Sequence, residues 1–327
     1  MVNAAERRSR IMTRRVCAVL NPTAGSWKRY RQGTTAEGRD HIVNSWFAGS
    51  PHPFELTILE TRTAGDGSEC AIRAVRSGAD TVMAVGGDGT IREVLEGLCA
   101  CNDAARLGII PTGTANVLAR AMRIPVNDAP NAANIAVGEF EKRIDLGTCN
   151  GQLFALHAGI GLDAMAVHSI SPRLKLRTGK FAYVVSAVKA AVGARSCAFT
   201  VTYGEGNSEV ATSTYSSDQL FAANFRLYAG SYALAPETEV SAHDGYLNLI
   251  VCKPASSGLT ALFREAIHLQ RGTTFEHAAT RYSGAAFSVT CNPQMPIQLD
   301  GDPSGWTPAK IKVIPGAVRV ACLPDNQ

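Results

Sequence analysis

Residues 86–90, Gly-Gly-Asp-Gly-Thr, stand between an apolar run, Thr81–Val85, and a helical pattern that begins at once. Three glycines in four positions allow a sharp turn and bring bare N–H groups close to an anion. A helix starting near Thr90 adds its N-terminal dipole and unfilled donors to the same point. Strand, glycine turn and helix start together form a phosphate cradle from Gly86, Gly87, Gly89 and Thr90. Asp88 puts a carboxylate in it, which makes chemical sense if it holds Mg²⁺ or steers a hydroxyl, since polyphosphate would otherwise repel it. A tight turn after a strand can also be glycine-rich for packing alone. No Gly-Lys-Ser/Thr follows, which excludes a Walker loop, and Gly86-x-Asp88 breaks the dinucleotide spacing.

Two more polar loops follow apolar runs in the same way: 21–26, Asn-Pro-Thr-Ala-Gly-Ser, and 111–116, Pro-Thr-Gly-Thr-Ala-Asn. In a parallel sheet all three emerge at the carboxyl edge, where open α/β sheets bind ligands. Further along stand Asp163, Asp244-Gly245 and Asp300-Gly301-Asp302. As plain sequence, the aspartates of the last two are equally at home in turns. No Gly-x-Ser-x-Gly elbow supports a hydrolase. His157 and His168 read as packed residues more than as catalysts.

The elements that must position these loops alternate at first. Strands at 15–20, 54–59, 81–85 and 107–110 are interleaved with helical patterns at 67–76, 91–101 and after 116, the rhythm of an α/β domain with a parallel sheet. After about residue 140 short strands dominate, broken by helical stretches only near 178–192 and 257–270, which suggests an antiparallel sandwich or barrel. The expected organisation is an N-terminal α/β domain over 1–135, with a basic tail at 1–14, and a β-rich domain over 136–327, with a cleft between them. The 327 residues are 46% hydrophobic and 18% charged with net charge +4, enough for a packed core and too mild to argue for nucleic acid. Nine scattered cysteines lack any Cys-x-x-Cys pair and fit a reducing, cytoplasmic compartment. No apolar stretch reaches the length of a membrane span.

The loop residues also carry a resemblance. Asn21-Pro22-x-x-Gly25, Gly86-Gly87-Asp88-Gly89-Thr90 and Pro111-Thr112-Gly113-Thr114-Ala115-Asn116-x-x-Ala119-Arg120 resemble the signature loops of the diacylglycerol kinase catalytic family, which includes diacylglycerol, sphingosine and ceramide kinases. Gly159-x-Gly161-x-Asp163, Pro236 with Asp244-Gly245-x-Leu247, and Asp300-Gly301-Asp302 continue it in order. The resemblance implies an ATP- and Mg²⁺-dependent lipid kinase with a nucleotide-binding α/β domain and a lipid-binding β domain. It assigns Asn21, Gly25, Ser26, Thr63, Gly113, Thr114 and Asn116 to the nucleotide, and the 86–90 loop to phosphates and Mg²⁺. Where the family usually has Asp-Gly-Glu, with the glutamate as base for the lipid hydroxyl, this chain has Asp300-Gly301-Asp302. Asp302 is the expected base, one methylene shorter, with Asp300 its rival. Asp244 would ligate a second, structural Mg²⁺ or simply open a strand. Asp163 would orient the lipid side or cap a helix.

For such an enzyme the lipid lies at a membrane. Arg173, Lys175, Arg177 and Lys180 sit among leucines just before the amphipathic stretch 181–192. Basic residues near an anionic surface gain about 1 kcal/mol each, so this segment reads either as a dock on the inner membrane face or as an ordinary solvated loop. The family likeness leaves open a ceramide or sphingoid-base kinase, an NAD kinase-like enzyme, a nucleotide-binding lipid sensor without turnover, and a homodimer.

Overall fold

The computed structural model of the chain describes residues 13–25, 35–102, 104–169, 197–204, 211–228, 232–234, 240–252 and 279–324. It divides into two compact units, Met1–Arg143 with Val318–Gln327, and Ile144–Ala317. Ser26, Pro236, the basic stretch 171–180 and the helical stretches expected near 178–192 and 257–270 lie outside the described residues.

In chain order the first unit contains β1 (Arg14–Leu20), α1 (Ala36–Trp46), β2 (Phe54–Glu60), α2 (Asp66–Arg76), β3 (Thr81–Gly86), α3 (Asp88–Ala100), β4 (Arg106–Pro111), α4 (Val117–Ala121) and α5 (Ala129–Val137). Strands pair in the order β2-β1-β3-β4, all parallel. Every residue of β3 and β4 is buried, as expected for inner strands covered on both faces. The edge strand β2 has no fully buried residue and alternates half-buried and exposed positions over its first half. One face packs Val16, Ala18, Leu20, Met83 and Val85 against Val43, Trp46 and Phe47 at α1 and Ala133, Ala136 and Val137 of α5. Helices α2 and α3 pack on each other, and α2 also meets β1. Each fully buried Leu, Met or Val contributes about 1.5–3 kcal/mol, so this core holds the strand ends, and hence the loops, in place. The strand order reverses between β1 and β3, the point at which such sheets open a crevice beyond their carboxyl ends.

Strand β5 (Glu141–Cys149) runs across the division between the units. The second unit continues with β6 (Gln152–Phe154), β7 (His157–Gly161), α6 (Leu162–Ser169), β8 (Cys197–Gly204), β9 (Ala211–Ser217), β10 (Gln219–Ala223), β11 (Leu227–Tyr228), β12 (Tyr232–Ala233), β13 (Leu247–Cys252), β14 (Ala279–Gly284), β15 (Ala286–Asn292), β16 (Pro296–Leu299), β17 (Asp302–Trp306) and β18 (Ala309–Ala321). Antiparallel pairing links β18, β15, β8 and β9. A second antiparallel sheet runs β14-β13-β10-β7-β16-β17. Phe199, Val201, Phe287 and Val289 from the first meet Ile160, Leu220, Leu249 and Ile297 from the second in one core, which makes a sandwich.

The fold class thus matches the expectation, with local differences. The expected boundary after residue 135 falls inside α5, whereas the division lies after Arg143. Val320 at the end of β18 pairs with Leu107 of β4, so the tail returns to the first unit, which a single linear cut could not express. The run 152–158 splits into β6 and β7 because the amides at its middle turn to Asp300.

Candidate active site

The three glycine loops touch one another. Asn21 Nδ2 donates to Thr90 Oγ1 at 3.0 Å, joining the loop after β1 to the first turn of α3. Its Oδ1 accepts from the Thr23 N–H and hydroxyl, closing the first loop on itself. A Cβ on Gly113 would lie 2.4 Å from the Gly87 Cα, and one on Gly25 would lie 3.1 Å from Thr114 Oγ1. The second loop therefore meets the third backbone to backbone, and the first meets the third at Thr114. Asn116 adopts a left-handed conformation, φ 50° and ψ 50°. Its side chain accepts from the Gly113 N–H and donates to the Gly113 carbonyl, both at 3.0 Å, and so fixes the third loop's shape. Gly87 caps α3 and, being glycine, makes no side-chain capping bond to that helix start.

Asp88 is half-buried, and its Oδ1 accepts the Leu118 N–H at 3.1 Å. Burial raises its pKa, against the lowering effect of the amides of residues 116–118. The carboxylate so binds the second loop to the start of α4 while standing in the cradle. Mg²⁺ bound with polyphosphate needs only one or two carboxylates and keeps several waters, and Asp88 suits that donor set. Among the described residues no group of three or more His, Cys, Asp or Glu is placed to hold a metal.

Thr63 lies just beyond β2, at the same sheet edge. Its N–H and hydroxyl donate to Asp66, at 2.8 and 2.9 Å. Glu93 of α3, absent from the sequence reading, accepts from Gly65 N–H and Gly67 N–H, each at 2.9 Å. Nothing in its spacing marks it, because its partners are backbone groups of another loop.

In the second unit, Asp300 and Gly301 have φ of 50° and 87° and form the two-residue turn between β16 and β17. Asp300 Oδ2 accepts from Ala155 N–H at 2.7 Å, and Oδ1 from Leu156 and His157 N–H at 2.9 and 3.0 Å. Asp302, half-buried, is the first residue of β17, paired with Leu299. Gly301 N–H donates to the Oε1 of fully buried Gln298 at 2.7 Å. Gln298 Nε2 donates to Asp163 Oδ2 at 2.8 Å, and the Tyr228 hydroxyl donates to Asp163 Oδ1. Burial pushes Asp163 up to about 6 although both bonds favour its charged form. His157, 4% exposed, is pushed down to about 4 by burial, and its Nδ1 has no hydrogen-bond partner among the described residues. Its ring lies 5.0 Å from that of Tyr228. His168 is packed, with Nε2 2.8 Å from the Ile297 carbonyl oxygen.

Asp244 is exposed, and its Oδ1 accepts the Tyr246 N–H at 2.9 Å, an Asx turn that leads into β13. Buried Asp145, also missed by sequence reasoning, accepts from Gly245 N–H and Gly316 N–H, each at 2.7 Å, and so anchors that turn.

The sequence model of the diacylglycerol kinase catalytic domain matches residues 15–149, and that of the YegS C-terminal NAD kinase beta sandwich-like domain matches residues 157–322. A diacylglycerol kinase of Bacillus subtilis (strain 168) is 29% identical over 266 residues, covering 79% of this chain and 82% of the relative. One of Staphylococcus aureus (strain MRSA252) is 27% identical over 301 residues, with coverage of 91% and 89%. A solved structure from Bacillus anthracis str. Sterne, provisionally assigned as a diacylglycerol kinase, superposes with TM-score 0.73 at 25% identity over 95% of both chains. With its glycine loops in the first matched domain and its Asp-Gly-Asp turn in the second, the chain belongs to the diacylglycerol kinase family and is a lipid kinase.

Proposed function

We propose that this lipid kinase transfers the γ-phosphate of ATP, with Mg²⁺, to a hydroxyl of diacylglycerol or a closely related lipid. The mutual contact of the three glycine loops at the start of α3 carries the reading. Phosphoryl transfer asks a protein mainly for positioning and charge neutralisation, and a cradle of close backbone amides beside Asp88 is suited to both. Asn21, Gly25, Ser26, Thr63, Gly113, Thr114 and Asn116 would surround the nucleotide, with Gly86, Gly87, Gly89 and Thr90 at its phosphates. Asp88 would hold Mg²⁺, which neutralises phosphate charge when bound. A second, structural Mg²⁺ at Asp244 would use the carboxylate oxygen that Tyr246 N–H does not take.

Asp302 is the proposed base. It would take the proton of the lipid hydroxyl as that oxygen bonds to the γ-phosphorus and the bond to ADP breaks. Asp300 is less suited, since both its oxygens already accept backbone N–H groups. The lipid would be met at the inner face of the membrane, with Arg173, Lys175, Arg177 and Lys180 drawn to anionic headgroups. Glutamates at Arg173, Lys175 and Arg177 should then weaken binding to anionic vesicles.

Transfer of radiolabelled γ-phosphate in mixed micelles tests the reading, with diacylglycerol, monoacylglycerol, ceramide and sphingosine as acceptors and NAD as a soluble control. Labelled diacylglycerol that vanishes in Asp88→Ala and Asp302→Asn supports it. Labelled ceramide or sphingosine alone would move the acceptor within the family, and labelled NAD alone would refute a lipid acceptor. ATP binding without any product would favour a sensor, the reading to which the Asp-for-Glu departure at 302 points.

A further inference from the structure

The motif Gly159-x-Gly161-x-Asp163 is unexplained by nucleotide binding, yet its geometry converges on the turn that carries the base. A Cβ on Gly159 would lie 2.5 Å from Gln298 Nε2 and 2.8 Å from Asp163 Oδ2. Glycine is needed there so that these two side chains can meet across β7. A Cβ on Gly161, with φ 102°, would strike the Asp218 carbonyl oxygen at 2.3 Å, so the chain can leave β7 into α6 only with glycine at this point. That departure delivers Asp163 to Gln298.

Gln298 has no exposed surface, so both ends of its amide need partners inside the protein. One end accepts Gly301 N–H at 2.7 Å and the other donates to Asp163 at 2.8 Å. The orientation is forced, because a backbone N–H can only donate and an ionised carboxylate can only accept. Tyr228 fills the other Asp163 oxygen. The turn is therefore gripped at two consecutive residues, Asp300 by three amides of 155–157 and Gly301 by Gln298. Asp302 follows directly.

We propose that Gln298, oriented by Asp163 and Tyr228, is a positioning residue that sets where Asp302 stands relative to the acceptor hydroxyl. The proposal rests on the reading of Asp302 as base. It also gives the shorter side chain a physical footing, since an aspartate with less reach tolerates less error in its backbone. A misplacement of about 1 Å costs on the order of a hundredfold in rate. The groups facing Asp163 are Tyr228 and Gln298, with the His157 ring behind Tyr228 and His168 further along α6.

Rates per folded molecule in the mixed-micelle assay, with the folded fraction taken from circular dichroism, test this on the full chain. Gln298→Leu and Gly159→Ala should lower kcat about tenfold or more while KM for ATP and for lipid stays within about twofold. Gln298→Glu returns an acceptor to Gly301 N–H. It should recover most of kcat near about pH 6, where two adjoining carboxyl groups share a proton, and less near about pH 8. Unchanged kcat in Gln298→Leu, a loss confined to KM for lipid, or a Gln298→Glu variant no better than leucine near pH 6 would each overturn the proposal. If Gln298→Leu fails to fold, Gly159→Ala and Gln298→Glu decide by the same criteria. Asp302→Asn, run alongside, separates the two readings: full activity there removes the base and this proposal with it. An inactive Asp302→Asn beside a fully active Gln298→Leu removes the positioning role alone.

Discussion

Substituting either His157 or Asp163 should expose a pH dependence that the intact chain conceals. Both side chains adjoin Tyr228, and burial acts on them in opposite directions. His157 falls from 6.5 to about 4 and Asp163 rises from 3.8 to about 6. For His157 the folded state binds fewer protons than the unfolded chain, so stability present above pH 6.5 is lost on acidification through pH 4, by roughly 3 kcal/mol. For Asp163 the folded state holds the extra proton. Stability present below pH 3.8 is lost as pH rises through 6, again by roughly 3 kcal/mol. Between about pH 4 and 6 the two nearly cancel, because folding releases a proton at one group and takes one up at the other. Urea unfolding of the wild type, His157→Leu and Asp163→Asn at about pH 7, 6, 5 and 4 separates them. Relative to wild type, His157→Leu should gain roughly 3 kcal/mol between pH 7 and 4, and Asp163→Asn should lose a similar amount over the same range. Asparagine also sets an amide against Gln298 Nε2, but that penalty does not vary with pH. Differences from wild type that stay flat to within about 0.5 kcal/mol across the series would refute the argument for both groups.

Gly113→Ala places a methyl group against the Gly87 backbone, and the loops must part. KM for ATP should rise about tenfold, ~1.4 kcal/mol, with kcat less affected, as steady-state kinetics would show. Asp300→Asn turns an NH₂ group toward one of the three amides that the carboxylate now satisfies. A loss of about 1–3 kcal/mol in urea unfolding is expected. Glu93→Ala strips the acceptors from Gly65 and Gly67 N–H. Hydrogen exchange at those two amides should then accelerate about tenfold or more, which corresponds to ~1.4 kcal/mol or more of lost protection.

The parallel half of the fold was legible because its inner strands announce themselves. Strand β3 is six buried residues in a row ending at a glycine, the short apolar run of an inner parallel strand bounded by turn residues. The elements that escaped were those whose pattern is weak or shared. Helix α1 buries only Val43 and Trp46, with Ile42 half-buried beside them, and most of its other residues are polar. Strands β9 and β17 lie at sheet edges, where half the residues face solvent. Helix α6 shows no apolar stripe to distinguish it, because the small residues of Leu162–Ser169 fit against β7 and β16 without one.

The candidate site divides along a related line. Glycine-rich loops are visible in sequence because a close backbone approach excludes every other residue, as Gly87 against Gly113 demonstrates. Side chains that serve backbone amides elsewhere leave no such trace. Glu93 and Asp145 satisfy N–H groups far away in the chain, and Gln298 one three residues on, at Gly301; any polar residue at those positions would look the same from sequence. Asp300 is intermediate. Its place beside glycine marks a turn, but only the three amides it accepts distinguish it from Asp302. Two aspartates separated by one glycine thus take different work because the strand pairing turns one inward to the 155–157 amides and starts β17 with the other. That assignment depends on register, Leu299 opposite Asp302, and a strand buried at every position, as β16 is, offers no inside-outside alternation from which to read it.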